Sequence, residues 1–207
     1  MKLFLVRHGE TEWNHLGRFQ GQIDIGLNQR GLEQARDTAR AALTWKPTAL
    51  YSSPLCRTMQ VAEEVSSLVG LPVIPEPRFK ELALGELEGV TSEEMRTGWP
   101  QLYEVWRTDP GNATMPGGES LAQLQDRTWE GFLNLERAHA EEDVVVVVSH
   151  NFAIRTIFGK VLGIPLSHFH SAYLSLGSVC TIEINQRGRR LLSYNSTCHL
   201  SPENRSP

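Results

Sequence analysis

The sequence predicts an α/β fold, a three-layer sandwich in which a mainly parallel central sheet has helices on both faces and a late antiparallel hairpin. Three observations lead to this prediction. Apolar runs typical of strands alternate with helical patterns along most of the chain, as expected for a parallel sheet with crossover helices. Five consecutive valines at 144–148 indicate a strand that is buried on both faces. Two alternating apolar segments flank the turn at 186–188, which predicts the hairpin and an antiparallel edge.

The first half of the chain is divided by apolar runs and by residues that favour helix ends. The predicted elements are, in order, a strand at 2–7, a polar loop at 9–28, a helix at 28–43, a strand at 49–52, a helix at 57–69 and a strand at 71–74. Pro54 favours the start of the second helix. The loop contains Gly17, Gly21 and Gly26, and a loop of this length in a compact domain is usually functional.

Capping signals set the helices of the second half. Thr91 with Glu94, and Ser120 with Gln123, have the spacing of capping boxes, so a helix is expected to begin after each threonine or serine. The predicted elements are a loop at 75–89, these two helices, a turn at 116–120 between them, a strand at 143–149, a helix at 151–162 and hairpin strands at 179–185 and 191–194.

The organisation predicted is one domain over 1–200, because no linker, repeat or low-complexity segment divides the chain. Residues 90–118 are expected to form a lid over a site. Residues 201–207 are expected to be a disordered tail.

Composition excludes several classes of function. The net charge of −4 argues against a general nucleic-acid binder, which needs a clear basic excess. The three cysteines, Cys56, Cys180 and Cys198, are far apart and odd in number, so reduced thiols in a cytoplasmic protein are expected. The apolar run before Arg7 is too short for a signal-peptide core, and no stretch has the length of a membrane span.

Two histidines follow two of the predicted buried strands. The first apolar run stops at Arg7, and His8 follows it. The valine run is followed by Ser149 and then by His150. Parallel strands gather their ligands at their carboxyl ends, so the two imidazoles can meet there. A histidine held beside a permanent cation suits attack on an anionic group such as a phosphoryl group.

Six motifs in order extend this pattern over positions 7 to 150. They are Arg7-His8-Gly9-Glu10-Thr11-Glu12-Trp13-Asn14, Leu27-Asn28-Gln29-Arg30-Gly31, Ser52-Ser53-Pro54-Leu55-Cys56-Arg57-Thr58, Glu81-Leu82-Ala83-Leu84-Gly85-Glu86-Leu87-Glu88-Gly89, Pro116-Gly117-Gly118-Glu119-Ser120 and Val148-Ser149-His150. With them the chain closely resembles the phosphoglycerate-mutase-like branch of the histidine phosphatase superfamily. The resemblance covers nearly the whole chain.

The resemblance implies a role for each matching residue. It makes His8 the nucleophile that becomes phosphohistidine and Glu81 the proton donor to the leaving oxygen; Arg7, Arg57 and His150 would hold the phosphoryl oxygens. Further polar contacts to the substrate are implied for Asn14, Gln20, Gly21 and Asn151. Phe152 departs from the small residues that relatives have after this histidine, and we expect it to narrow the pocket.

The chemistry of phosphoryl transfer fits these residue types. Charge spreads over three equatorial oxygens, and guanidinium groups bind phosphate in bidentate fashion. His8 must be neutral to attack, so we expect Arg7 and Arg57 to lower its pKa, and a backbone carbonyl such as that of Gly9 to fix its tautomer. His150 is expected to be the imidazolium. A bound dianion favours the protonated form of Glu81, which can later take a proton from water.

The function predicted is therefore a phosphomonoesterase for a small soluble metabolite, with no metal and no cofactor. A phosphoglycerate mutase is the alternative within the family. The mutases of that family resemble this chain with a longer insertion between the acid and the second histidine, so the 69 positions from Glu81 to His150 favour a phosphatase. A metallohydrolase would need a metal-ligand pattern, and His168 with His170 is the only close histidine pair. A non-catalytic phosphate-binding module would lack the nucleophile or the acid, and neither is missing.

The substrate is left open among phosphoserine, phosphoglycerate-type acids, sugar phosphates and α-ribazole phosphate. The segment 195–200 resembles the C-terminal ending of several phosphatases of the family, including metal-independent phosphoserine phosphatases. From it His199 is expected either to meet a substrate carboxylate or to be an ordinary surface histidine. No membrane or nucleic-acid partner is expected, and a homodimer is left open.

Overall fold

A computed structural model of the chain describes residues 1–205. It contains six strands and seven α-helices within this range, joined by loops with short 3-10 turns. The strands are β1 (Lys2–Arg7), β2 (Ala49–Ser52), β3 (Val73–Pro75), β4 (Val144–Ser149), β5 (Val179–Asn185) and β6 (Gly188–Ser196). The helices are α1 (Glu12–His15), α2 (Gln29–Trp45), α3 (Cys56–Val69), α4 (Ser92–Gly98), α5 (Pro100–Thr108), α6 (Leu121–Ala138) and α7 (Asn151–Leu162).

The six strands form one sheet in the order β3-β2-β4-β1-β5-β6. The first four are parallel to one another, and β5 and β6 add an antiparallel hairpin beside β1. The valine strand β4 lies in the middle, as its unbroken apolar run predicts. The predicted fold class is confirmed.

Both faces of the sheet are covered because side chains along a buried strand alternate between them. Leu3 and Leu5 of β1 pack into a core with residues of α6 and α7 on one face. Val6 lies on the opposite face, where it packs with the alanines of α2 and with Val61 of α3. The central strand β4 divides its valines between the two cores in the same way.

Capping predictions agree with the observed helix starts. The side chains of Thr91 and Glu94 form a capping box at α4, and those of Ser120 and Gln123 form one at α6. Helix α7 covers the predicted range. Helix α3 begins later than Pro54 predicts, because Leu55 is still extended and acts as the N-cap without a side-chain hydrogen bond.

The loop that follows β1 contains a helix that sequence reasoning missed. Thr11 and Asn14 form a third capping box, which stabilises the single-turn helix α1. The side-chain oxygen of Asn14 accepts hydrogen bonds from the backbone N–H of Thr11 at 3.2 Å and from its hydroxyl at 3.0 Å. Helix α1 is stabilised by local hydrogen bonds and buries no apolar face, so hydrophobic periodicity could not predict it.

The prediction of a disordered tail is wrong for residues 201–205. Residues Pro202–Asn204 form a 3-10 turn, and Asn204 is buried. The Asn204 side chain donates to the Asp37 carboxylate at 2.8 Å, and the Gln34 side chain donates to the Asn204 carbonyl at 2.7 Å. The tail is therefore held to α2 by buried polar contacts. Residues 206 and 207 lie outside the described range.

The segment predicted as a lid contains α4 and α5. Its apolar side chains form a third core with residues of the segment 82–87 and of α7. Within it the ring of Trp106 lies 5.6 Å from that of Phe152, which flanks the candidate site. Closure of this segment over the site stays a prediction.

Candidate active site

The register of the sheet brings the two predicted histidines together. Arg7 of β1 pairs with Ser149 of β4, so the residues that follow each, His8 and His150, leave the sheet side by side. The backbone N–H of His8 donates to the carbonyl of Ser149 at 3.1 Å, and the two imidazole centroids lie 5.2 Å apart. Both residues are buried. The sequence prediction that the strand ends meet is therefore correct.

A cavity of about 120 Å³ opens at this edge of the sheet. Its wall includes eight of the ten predicted site residues. They are Arg7, His8, Asn14, Gln20, Gly21, Arg57, Glu81 and Asn151. The small volume and the two arginines fit a small anionic molecule.

His8 is held in the form that a nucleophile requires. Its Nδ1 lies 2.7 Å from the carbonyl oxygen of Gly9, which can only accept, so Nδ1 carries the proton and Nε2 keeps its lone pair. Burial lowers the pKa of His8 well below its usual value, and Arg57 and Arg7 lower it further. The direction of this pKa shift agrees with the effect predicted for the two arginines, and desolvation adds a larger cause.

The two arginines are fixed by backbone carbonyls rather than by carboxylates. Arg57 is fully buried and donates to the carbonyls of Gly21 at 2.7 Å and Ile23 at 2.9 Å. Arg7 donates to the carbonyl of Leu174. Burial lowers the pKa of Arg7 to about 10, so the group stays charged at neutral pH. Because no carboxylate of residues 1–205 forms a salt bridge with either guanidinium, both groups can pair with a bound anion.

The loop over 9–28 supplies the polar rim of the cavity. The Asn14 side-chain oxygen is used within the capping box, so its amide N–H groups are what remain for a bound oxygen acceptor. The Gln20 side-chain oxygen is buried without a partner in the described part of the chain. Gly21 has a φ of 56°, and its carbonyl holds Arg57. Gly21 thus positions a cation as well as lining the cavity.

Glu81 lies at the amino end of α7. Its carboxylate accepts hydrogen bonds from the backbone N–H groups of Leu82 at 2.9 Å, Phe152 at 3.1 Å and Ala153 at 3.3 Å. These donors belong to two separate segments, so the carboxyl group is fixed between its own loop and the helix. Sequence periodicity could not choose Glu81 among Glu76, Glu86 and Glu88, and of these four only Glu81 lines the cavity.

The loop that carries Glu81 is anchored by the motif at 116–120. Glu119 accepts from the backbone N–H of Ala83 at 2.9 Å and pairs with Arg127 of α6 at 2.7 Å. Arg127 in turn donates to the carbonyls of Lys80 at 2.7 Å and Glu81 at 2.6 Å. The backbone also approaches closely here, since a Cβ on Gly118 would lie 2.2 Å from the Ala83 carbonyl oxygen. The motif therefore positions the acid rather than contacting the cavity.

The surroundings of His150 do not favour the imidazolium form expected from the sequence. Burial lowers the pKa of His150 well below its usual value, and Arg57 and His8 lower it further. The neighbouring cations that would favour a phosphate dianion disfavour a third positive charge. Beside it, Phe152 lines the cavity; that it narrows the cavity stays a prediction.

His199 does not reach the cavity. Its Nε2 lies 3.3 Å from the Thr38 hydroxyl of α2, and its ring packs edge-on against Trp45. Burial lowers the pKa of His199. The resemblance of the segment 195–200 to other C-terminal endings gave no information on which side of α2 the side chain would lie. His199 is corrected from a substrate contact to a half-buried packing residue.

Two residues that sequence reasoning passed over belong to the site. Arg18 lines the cavity from the glycine-containing loop, donates to the carbonyl of Gly89 and lies 3.5 Å from Glu94, with 39% of its side chain exposed. A lone arginine in a loop predicted to be functional was the available signal. Ser53 contacts His150, and it lies within a motif that the sequence analysis quoted.

Residues 1–205 contain neither a candidate metal site nor a candidate membrane span. In this range no three His, Cys, Asp or Glu side chains come together to hold a metal ion. None of the described helices has the length and apolar character needed to cross a membrane. Cys56, Cys180 and Cys198 are all free thiols.

Comparison with known proteins decides the family. The family model of the histidine phosphatase superfamily (branch 1) matches residues 3–197. The chain belongs to this superfamily. The resemblance predicted from the sequence is thereby confirmed.

Individual members of the histidine phosphatase superfamily resemble the chain over nearly its full length. It is 38% identical to phosphoserine phosphatase 1 of Hydrogenobacter thermophilus, over 97% of this chain and 94% of that protein. It is 37% identical to the metal-independent phosphoserine phosphatase of Arabidopsis thaliana, over 97% and 83%. A solved structure of a mutant phosphoserine phosphatase from Entamoeba histolytica in complex with phosphoserine matches with a TM-score of 0.83 and 31% identity, over 97% and 99%. These relatives support the predicted phosphatase function.

Proposed function

We propose that this chain is a phosphatase that hydrolyses a small phosphomonoester through a phosphohistidine formed at His8. One observation carries the proposal. A buried, neutral imidazole, with its Nδ1 proton donated to the Gly9 carbonyl, stands in a small cavity with two arginines that form no salt bridge with a carboxylate of residues 1–205. Such a cavity favours a dianion and offers it a nucleophilic nitrogen.

The first half of the reaction transfers the phosphoryl group to the enzyme. Arg7, Arg57 and the Asn14 amide bind the phosphoryl oxygens. The Nε2 lone pair of His8 forms the bond to phosphorus while the bond from phosphorus to the ester oxygen breaks. Glu81 in its protonated form gives its proton to that oxygen, and a neutral alcohol leaves.

The second half returns the enzyme to its starting state. Glu81, now a carboxylate, takes a proton from a water molecule as the water oxygen attacks phosphorus. The bond between His8 Nε2 and phosphorus breaks, and inorganic phosphate leaves. Both halves require only protein side chains, so we propose a metal-independent reaction.

We propose a substrate that carries a carboxylate, such as phosphoserine. The cavity of about 120 Å³ suits a small phosphorylated molecule. Arg18 lines it with a partly exposed side chain, and since its contacts with Glu94 and Gly89 both use Nη1, the N–H groups of Nε and Nη2 suit a carboxylate. The side-chain oxygens of Gln20 and Asn151 have no partner among the described residues and suit an ammonium or hydroxyl donor. Two relatives named as phosphoserine phosphatases support the same substrate class.

A panel of phosphorylated metabolites tests this function. Phosphoserine, 3-phosphoglycerate, sugar phosphates and α-ribazole phosphate are assayed for phosphate release with and without excess chelator. We expect hydrolysis of phosphoserine, unchanged by the chelator and absent in His8→Ala. Turnover retained by His8→Ala, or loss of activity in chelator, would contradict the mechanism. Transfer of the phosphoryl group between two phosphoglycerate positions without phosphate release would instead identify a mutase.

Arg18 gives a sharper test of the substrate class. Phosphoserine is compared with phosphoethanolamine, which has the ammonium but lacks the carboxylate. We expect Arg18→Gln to raise the KM for phosphoserine about tenfold, the loss of about 1.4 kcal/mol of charge-assisted hydrogen bonding. The KM for phosphoethanolamine should not change. Equal effects on both substrates would show that Arg18 does not recognise the carboxylate.

Two further features belong to the proposal. The free thiols favour a reducing compartment, so we place the enzyme in the cytoplasm. A homodimer is one arrangement that would cover the exposed Tyr173 and Leu192, and sedimentation of the purified protein distinguishes it from a monomer.

A further inference from the structure

Ser53 lies beside the two histidines because the sheet ladder continues past the end of β2. The backbone N–H of Ser53 donates to the carbonyl of Val148 at 2.9 Å, one residue beyond the last paired position of β2 and β4. Its side chain therefore stands next to His150, the residue two positions after Val148. The Ser53 Oγ lies 2.8 Å from His150 Nε2, and both residues are fully buried.

A count of donors and acceptors assigns the proton in this hydrogen bond. The Ser53 Oγ already accepts from the backbone N–H of Leu55, at 3.4 Å. Within residues 1–205, the hydroxyl has no acceptor in reach other than His150 Nε2. A buried hydroxyl proton without an acceptor is costly, so the hydroxyl donates to Nε2. Burial lowers the pKa of His150, and in a neutral imidazole whose Nε2 accepts, the proton is on Nδ1.

The opposite nitrogen is left without a protein partner. His150 Nδ1 is buried and makes no hydrogen bond to any described residue. An unpaired buried N–H is a group that a ligand can satisfy. The adjoining His8 ring, 5.2 Å away between centroids, is where the phosphoryl group is bound in the proposed reaction.

We propose that Ser53 is a positioning residue that holds neutral His150 in its Nδ1–H tautomer, so that His150 donates a hydrogen bond to the transferring phosphoryl group without carrying charge. The inference rests on the proposed function for its chemical meaning. In the other tautomer Nδ1 would present a lone pair to a phosphoryl oxygen, and repulsion would replace a hydrogen bond. A charged His150 would also add a third cation to a buried site that already holds Arg7 and Arg57, and burial together with these arginines disfavours that charge.

The tautomer itself can be read without any enzyme assay. Nitrogen-15 NMR of the histidine side chains distinguishes protonated from bare ring nitrogens, and the His150 signals are identified by their loss in His150→Gln. We expect, in the wild-type protein at neutral pH, a protonated Nδ1 and a bare Nε2. A protonated Nε2, or both nitrogens protonated, would overturn the proposal whatever the protein catalyses.

Kinetics of Ser53→Ala then tests the consequence, with Ser52→Ala as the matched control. Ser52 is the adjacent, equally buried serine, and its hydroxyl donates to the Ser53 carbonyl at 2.8 Å, which the Thr58 hydroxyl also contacts at 2.8 Å. We expect Ser53→Ala to mix the two tautomers in the NMR spectrum and to lower kcat about 10- to 100-fold, a range typical for loss of an orienting partner of a functional histidine. Ser52→Ala should keep the tautomer and nearly all of kcat.

The outcomes separate this inference from the proposed function. Equal kcat and an unchanged tautomer in Ser53→Ala and Ser52→Ala would overturn the role of Ser53 while phosphatase activity stands. Failure of the wild-type protein to hydrolyse any phosphomonoester would overturn the proposed function, and the NMR spectrum would still decide the tautomer.

Discussion

The burial of two neutral histidines makes the stability of the protein depend on pH. Burial and the nearby arginines lower the pKa values of His8 and His150 well below the usual 6.5 in the folded state. In the unfolded chain both histidines titrate near that usual value. As the pH falls below it, the unfolded chain takes up protons that the folded protein does not, so protonation favours unfolding. Stability should therefore fall as the pH falls.

The size of the effect follows from the difference in proton uptake. If the folded state binds no proton at either site, each histidine removes about 1.6 kcal/mol of stability between about pH 6.5 and pH 5. The two together remove about 3 kcal/mol over the same interval. This is a large share of the free energy of unfolding of a folded domain, which is roughly 5 to 15 kcal/mol. Carboxylates contribute further losses at lower pH, so the interval above pH 5 isolates the histidines best.

Urea unfolding at these two pH values measures the loss. The variants are His8→Asn, whose amide can replace the Nδ1 donor to Gly9, and His150→Gln, whose amide can replace the Nε2 contact to Ser53. His168→Gln, at an exposed position, is the control. We expect each buried-site variant to lose about 1.6 kcal/mol less than the wild-type protein on acidification, and the control to lose as much as the wild type. Wild-type losses in His8→Asn and His150→Gln would refute the buried, neutral state.

Three other changes have effects set by single contacts. Glu81→Gln should lower kcat/KM, which reports the first half of the reaction, about 10²- to 10⁴-fold on an alkyl phosphate and far less on p-nitrophenyl phosphate, whose leaving group needs no proton; equal losses of kcat/KM on both substrates would remove Glu81 as the acid. Gly118→Ala places a Cβ 2.2 Å from the Ala83 carbonyl oxygen and should destabilise the protein by about 1 to 3 kcal/mol in urea unfolding; an unchanged midpoint would contradict this close approach. Asn204→Ala removes the 2.8 Å hydrogen bond to Asp37 and should speed limited proteolysis of the tail; unchanged cleavage would show that the contact does not hold it.

Features encoded by local sequence were predicted well. The valine run gave the position and the centrality of β4, because only a strand covered on both faces tolerates so many adjacent apolar side chains. The capping boxes at Thr91 and Ser120 placed the starts of α4 and α6, because a cap depends on residues three positions apart. The meeting of His8 and His150 followed from the rule on strand ends.

Features that depend on distant contacts were not predictable in this way. The tail is ordered by Asn204 on Asp37 and Gln34, more than 160 positions away, while its own composition is typical of disorder. The charge state of His150 depends on burial and on Arg57, which no local pattern reports. Arg18 and Ser53 entered the site only once the loop and the strand register placed them.

Trapping of the intermediate tests the central claim most directly. The enzyme is mixed with phosphoserine, quenched in alkali during turnover to preserve a nitrogen-phosphorus bond, and digested for mass analysis. We predict a phosphoryl group on the peptide that contains His8, located on its imidazole and absent from the His8→Ala protein. A phosphoryl group on any other side chain, or none at all while phosphate is being released, would contradict the account.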